Sequence, residues 1–151
     1  MRAGLPGQIE IRGDYYELSH GRVSYLSMKF TLDARTDRNL IRGYGPGEVR
    51  IGERVLRSNC LVGARALVES WGPQFSSELA VEHLAAIFDL APELVLLGTG
   101  ARQRFASESI RAAFLARGVA LETMDLGAAC RTFNILIQEE RNVVAALFVS
   151  G

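Results

Sequence analysis

Cysteine is scarce in this chain. Only Cys60 and Cys130 occur in 151 residues, both in apolar surroundings. That is too few for the disulfide framework of a small secreted domain, and both are expected to be free thiols. No run of about 18 apolar residues exists, so no membrane-spanning helix is expected. An apolar N-terminal stretch of signal-peptide length is missing as well. Glu10, Asp14 and Glu17 stand where a mitochondrial transit peptide avoids acids. The expectation is a cytoplasmic protein without membrane insertion. An excess of one charge is also lacking, since 17 basic and 17 acidic residues cancel. This argues against a surface dedicated to nucleic acid or anionic lipid. Histidine is limited to His20 and His83. Neither has a context that marks a catalytic base, and no partner stands at metal-ligand spacing from His83. No metal or cofactor is therefore expected.

What is present suits one globular domain. Apolar residues make up 48% of the chain, and a chain of this length buries about two-thirds of its unfolded surface. Residues 1–27 are polar, with weak strand patches, and read as a flexible leader; Met28 is an alternative biological start. Residues 28–151 form the single domain. From Lys29 to Gly63 the signals are those of strands. Phe30 and Leu32 alternate with polar neighbours, and Leu40–Tyr44 is a second candidate. Gly45-Pro46-Gly47 and Gly52-Glu53 mark turns, and Cys60-Leu61-Val62 is a short strand buried on both faces. Trp71 is expected to anchor packing.

The second half changes rhythm. A helix is expected from Ser76 or Ser77 to about Leu90, with Val81, Leu84, Ala85 and Phe88 inward and His83 at the boundary. Leu94–Leu97 reads as a buried strand and Ser107–Arg117 as a helix stopped by Gly118. Then follow a strand at Val119–Thr123, a helix from Asp125 to about Glu140, and a last strand at Val143–Val149. Strands alternating with helices imply right-handed crossovers and a largely parallel sheet.

The stretch from Met124 to Asn134 is the main candidate site. Asp125 is placed to cap a helix, and its carboxylate suits the positive helix end. Gly127 and two alanines keep the first turn thin enough for close approach. Cys130, Arg131, Thr132 and Asn134 then bring a thiol, a guanidinium, a hydroxyl and an amide. Cys130 has two readings: a nucleophile of lowered pKa near a helix start, or a small hydrophobe on the apolar stripe. Arg131 and Asn134 fall on the more polar side and suit an anion or backbone carbonyls.

Gly98-Thr99-Gly100 is the second candidate. It follows a buried strand, where loops of α/β sheets hold ligands. Converging N–H groups there suit an anion. Gln103 stands where a dinucleotide fingerprint has its third glycine, and no Lys-Ser or Lys-Thr follows as in a P-loop. The turn thus reads either as structural or as part of a nucleotide or metabolite site.

Several of these segments together resemble a known family. They are Gly43-Tyr44-Gly45, Leu97 to Gly100, Met124-Asp125, Gly127 to Asn134, and the ending from Arg141 to Leu147. The Ala-Ala-Cys-Arg-Thr segment is the most specific. The chain looks like a family of small bacterial and archaeal proteins of unassigned function. That family includes a mitochondrial assembly factor of NADH:ubiquinone oxidoreductase (complex I). The resemblance covers about Phe30 to Phe148. It implies a three-layer α/β domain with a central mixed sheet, to which the residue patterns above add an N-terminal β-hairpin region and three helices. It also implies a protein partner rather than a reaction. Family members often have threonine where Leu126 stands, so the helix start here lacks that hydroxyl. The competing class is a small enzyme or metabolite-binding protein using Cys130, Asp125 and the Gly98–Gly100 turn.

Overall fold

The computed structural model describes residues 37–149 in full. Before residue 37 only two short antiparallel strand pairs are described, Gln8–Ile9 with Phe30–Thr31 and Tyr16–Glu17 with Ser24–Tyr25. Leu32 and the rest of the expected flexible leader lie outside the described residues.

The hairpin region forms a three-stranded antiparallel sheet: β1 (Ile41–Gly45), β2 (Glu48–Ile51) and β3 (Arg54–Leu56). Both turns have two central residues, and each places glycine where φ is positive. Gly47 follows Pro46 at φ 77°, and Gly52 leads its turn at φ 58°. These are the glycine positions of type II and type II′ turns.

The second sheet has five strands: β4 (Cys60–Gly63), β5 (Leu67–Val68), β6 (Leu94–Gly98), β7 (Ala120–Met124) and β8 (Val143–Leu147). Their order is β7-β6-β8-β4-β5. β6 pairs in parallel with β7 and β8, while β4 runs antiparallel to both β8 and β5. The sheet is therefore mixed, with its parallel part confined to three strands. All four apolar runs, at Leu61, Leu94–Leu97, Val119–Leu121 and Val144–Leu147, feed this one sheet.

Crossover handedness places the helices. From β6 the chain steps to one side through α2 (Glu108–Arg117) to β7, then back across β6 through α3 (Leu126–Gln138) to β8. Two right-handed crossovers in opposite directions put their helices on opposite faces. The strand residues divide accordingly. Cys60, Val62, Leu96, Ala145 and Leu147 share a core with Phe133 and Ile137 of α3 and with Ile41, Val49 and Ile51 of the smaller sheet. Leu61, Val95, Leu97, Val144 and Ala146 share the other core with Ile110 and Phe114 of α2 and with Leu84 and Ile87. The period of two along each strand produces this split.

One expected element differs. Instead of a helix from Ser76 to Leu90, there is a 3-10 turn at Ser76–Glu78 and a second at Val81–Leu84. The second runs into a single α-helical turn, α1 (Ala85–Phe88). Between the two 3-10 turns the backbone is extended, with Ala80 at φ −128° and ψ 163°. Side chains hold the break. Glu78 Oε1 accepts from the Phe75 N–H at 3.1 Å, and His83 Nδ1 accepts from the Ala80 N–H at 2.9 Å. Each reaches back three residues and restarts the chain, as capping side chains do. Val81 and Ala85, both expected inward, are consequently exposed, and Ile87 lies inside beside Leu84.

Trp71 is buried, as expected. Its ring lies 5.4 Å from that of Phe148, and Nε1 donates to the His83 carbonyl at 3.0 Å.

Candidate functional site

The loops after β6 and β7 leave the same edge of the sheet but turn toward opposite faces. That creates the kind of crevice where open α/β sheets bind ligands.

Gly98 ends β6. A Cβ there would lie 3.0 Å from Ala129 Cβ and 3.1 Å from Leu147 Cδ2, so the glycine lets α3 lie close to the strand. Thr99 is buried, and its polar groups are committed. Its N–H donates to the Met124 carbonyl at 2.9 Å. Its hydroxyl donates to the Arg102 carbonyl at 2.6 Å and accepts from the Arg104 N–H at 3.0 Å. Gly100, at φ 92°, turns the chain, and its carbonyl accepts from the Leu126 N–H at 2.8 Å. The turn is thus tied to β7 and to the start of α3.

Asp125 caps α3, with Oδ1 accepting from the Ala128 N–H at 2.8 Å. The thin first turn has an occupant. The Tyr44 ring from β1 lies against Gly127, where a Cβ would come within 2.7 Å of Tyr44 Cζ. Arg131, one turn further on, donates from Nη1 to the Tyr44 hydroxyl oxygen at 2.8 Å. Burial pushes the Tyr44 phenol up to about 12, against a smaller pull downward from Arg131. The phenol therefore keeps its proton at neutral pH.

Together these groups line an open cleft of ≈ 550 Å³, with Tyr44, Pro46, Gly100, Asp125, Arg131 and Val149 among its walls. A smaller hollow of ≈ 280 Å³ lies beside the same turn, lined by residues including Thr99, Arg104, Phe105 and Ser107.

Of the residues singled out in the sequence, Gly100, Asp125 and Arg131 meet in the cleft. Gly98 lies beneath it against α3, and Thr99 faces the smaller hollow. Cys130 is wholly buried in the core, and Thr132 is half-buried and does not line the cleft. Burial raises the Cys130 thiol far above its ordinary range, with the neighbouring Cys60 adding to this and Arg131 opposing it. Burial likewise pushes Cys60 up to about 12. Such a setting disfavours the thiolate form at neutral pH.

Asn134 also lies elsewhere than on a polar face. It is fully buried, and its amide pairs with the backbone of Ile41.

Tyr44, Gly45, Pro46, Gly47, Ala101 and Val149 are cleft residues that the sequence did not single out as a site. The turn at Gly45–Gly47 was visible in the sequence. Its docking beside α3 is a long-range contact without a local signal.

Among the described residues, no group of three or more His, Cys, Asp or Glu is arranged to hold a metal. No helix among them is long and apolar enough to cross a membrane.

The fold and cleft define a class: α/β domains with a mixed five-stranded sheet, a small antiparallel sheet and three helices. Within it the chain belongs to the family described as "Protein of unknown function (DUF498/DUF598)", which matches residues 41–148. It is 34% identical over 110 residues to NADH dehydrogenase [ubiquinone] 1 alpha subcomplex assembly factor 3 of Danio rerio. That match covers 72% of this chain and 63% of the zebrafish protein, so the chain spans under two-thirds of that relative's length. An uncharacterized protein of Rhodobacter capsulatus is 36% identical over 107 residues, covering 71% of this chain and 82% of its own. The solution structure of a Bordetella pertussis protein, described as an Mth938-like domain, superposes with a TM-score of 0.69 at 31% identity. It covers 82% of this chain and 94% of its own.

Proposed function

We propose that this chain is a non-enzymatic binding module of the assembly-factor kind. It holds a protein partner while a respiratory or membrane complex is put together. One observation carries the reading. The exposed guanidinium of Arg131, braced by Tyr44, stands in an open cleft, while the adjacent Cys130 thiol is sealed in the core. Recognition chemistry therefore faces outward and nucleophilic chemistry does not. Likeness to a protein named as an assembly factor of NADH dehydrogenase supports the same reading and suggests that complex as the client.

The test is genetic and biochemical. Removing the protein from its host should lower the amount of assembled NADH dehydrogenase on a native gel while leaving subunit transcripts unchanged. Wild-type protein should restore assembly, and Arg131→Ala, folded but impaired at the cleft, should not. Normal assembly in the deletion strain would overturn the reading. A nucleotide binding with micromolar affinity would also do so, since at excess ligand it should add a few kcal/mol of stability.

A further inference from the structure

The cleft presents hydrogen-bond donors that nothing in the described chain uses. Arg131 donates Nη1 to the Tyr44 oxygen at 2.8 Å, so that oxygen acts as an acceptor. The Tyr44 O–H then has its own proton to give, and no described residue accepts it. The remaining guanidinium N–H groups of Arg131 likewise meet no acceptor among the described residues, and Arg131 is exposed. A phenol proton and a guanidinium fork thus stand side by side on one wall. Paired donors of this kind match the two oxygens of a carboxylate.

The other walls restrict the ligand further. Asp125 lines the same cleft. Its Oδ1 is held by the Ala128 N–H, but the carboxylate still carries charge. A doubly charged phosphate would meet that charge with only one cation to offset it, whereas a singly charged carboxylate meets less repulsion. A free carboxylate gains little from one exposed Arg beside an Asp. Pro46 is exposed beside the donors, and the largely buried Leu126 and Val149 reach the cleft wall behind it. Affinity therefore needs an apolar group flanking the anion.

We infer that the cleft receives an acidic side chain of a protein partner, an Asp or Glu flanked by apolar residues. Tyr44 and Arg131 grip its carboxylate, while Pro46, Leu126 and Val149 pack its neighbours. This rests on the binding-module reading and adds the chemistry of the contact.

The experiment titrates the 15N-labelled full chain with an N-acetylated, C-amidated Leu-Glu-Leu peptide. Parallel titrations use the Leu-Gln-Leu peptide, an N-acetylated Leu-Leu peptide with a free C-terminal carboxylate, acetate, and inorganic phosphate. The Glu peptide should shift Gly45, Gly47, Gly100, Gly127 and the Arg131 side chain. It should bind about fivefold or more tightly than its Gln counterpart, the ratio expected when one charge-assisted hydrogen bond is weakened. Tyr44→Phe, which keeps the ring against Gly127, should reduce that ratio, and Arg131→Gln should abolish it. Equal binding of the Glu and Gln peptides, or no shift at these residues, would overturn the inference. So would tighter binding of phosphate, or of the free-carboxylate peptide, which would assign the cleft to a small anion or to a chain terminus. If the peptides fail while Arg131→Gln still blocks assembly in the host, the binding-module reading survives and only the acidic contact falls.

Discussion

Asn134 and Ile41 are joined as if they were two strand residues. The Asn134 side chain accepts from the Ile41 N–H at 2.8 Å and donates to the Ile41 carbonyl at 2.8 Å, both inside the core. An amide side chain offers the same donor and acceptor as a peptide unit. One residue of α3 thus fixes the position of β1, and with it the placement of Tyr44 three residues later.

Replacing Asn134 with alanine should therefore cost far more than a surface substitution. It leaves a buried N–H and a buried carbonyl unpaired, each worth about 1–3 kcal/mol. We expect a loss of about 2–5 kcal/mol in urea denaturation. A loss below about 1 kcal/mol would mean that water or a shifted strand satisfies Ile41 instead.

Gly127 and Tyr44 should behave as a coupled pair. An added Cβ overlaps the Tyr44 ring, so Gly127→Ala should destabilise by about 1–3 kcal/mol, the usual cost of overpacking. In a Tyr44→Ala background the overlap disappears. The same change should then be neutral or slightly stabilising, since alanine is the better helix former by up to about 1 kcal/mol. A double-mutant cycle reads the coupling directly. Additive effects would show that the ring swings aside without cost.

The two thiols predict a pH dependence. Burial raises both above their ordinary range, Cys60 to about 12 and Cys130 further. Below the unfolded value, about 8.5, both states are protonated and nothing changes. Above it the unfolded chain releases protons that the folded chain keeps, so stability falls as pH climbs from there toward the folded values. The urea midpoint should drop more between pH 7 and pH 10 in the wild type than in the Cys60→Ala, Cys130→Ala double variant. Labelling of Cys130 in the folded protein should be slow at neutral pH, and fast labelling would reopen the catalytic reading.

Trp71 is the single tryptophan of the chain. Buried against Phe148 with its indole N–H bonded to the His83 carbonyl, it should emit at short wavelength and shift to the red on unfolding. Trp71→Phe keeps an aromatic ring but removes that donor and some volume. A loss of about 1–3 kcal/mol is expected by thermal or urea unfolding. An emission maximum like that of free tryptophan in the folded protein would contradict the burial.

Much of this molecule follows from local pattern. The strands β4, β6, β7 and β8 are legible because apolar runs of three to five residues between turn signals have few alternatives. The ends of α2 and α3 are legible because Ser107, Gly118 and Asp125 carry their capping roles in their own side chains or lack of one. The Ser76–Leu90 segment was less legible. Its apolar spacing fits a helix, yet Glu78 and His83 reach back to cap their own backbone and break it into turns. The candidate site divides in the same way. Asp125 and the Gly98–Gly100 turn declare themselves through local conformation. Which side of α3 is polar was decided by β1, whose backbone needs Asn134 and whose tyrosine needs Gly127. Outside Ser76–Leu90 and the short strand Leu67–Val68, sequence alone determined the main elements and the caps of α2 and α3, because those depend on neighbours a few residues away. Only the tertiary structure decided that Tyr44 and Arg131 share a cleft while Cys130 and Asn134 do not. That outcome depends on a contact between segments 87 residues apart, whose geometry no local periodicity encodes.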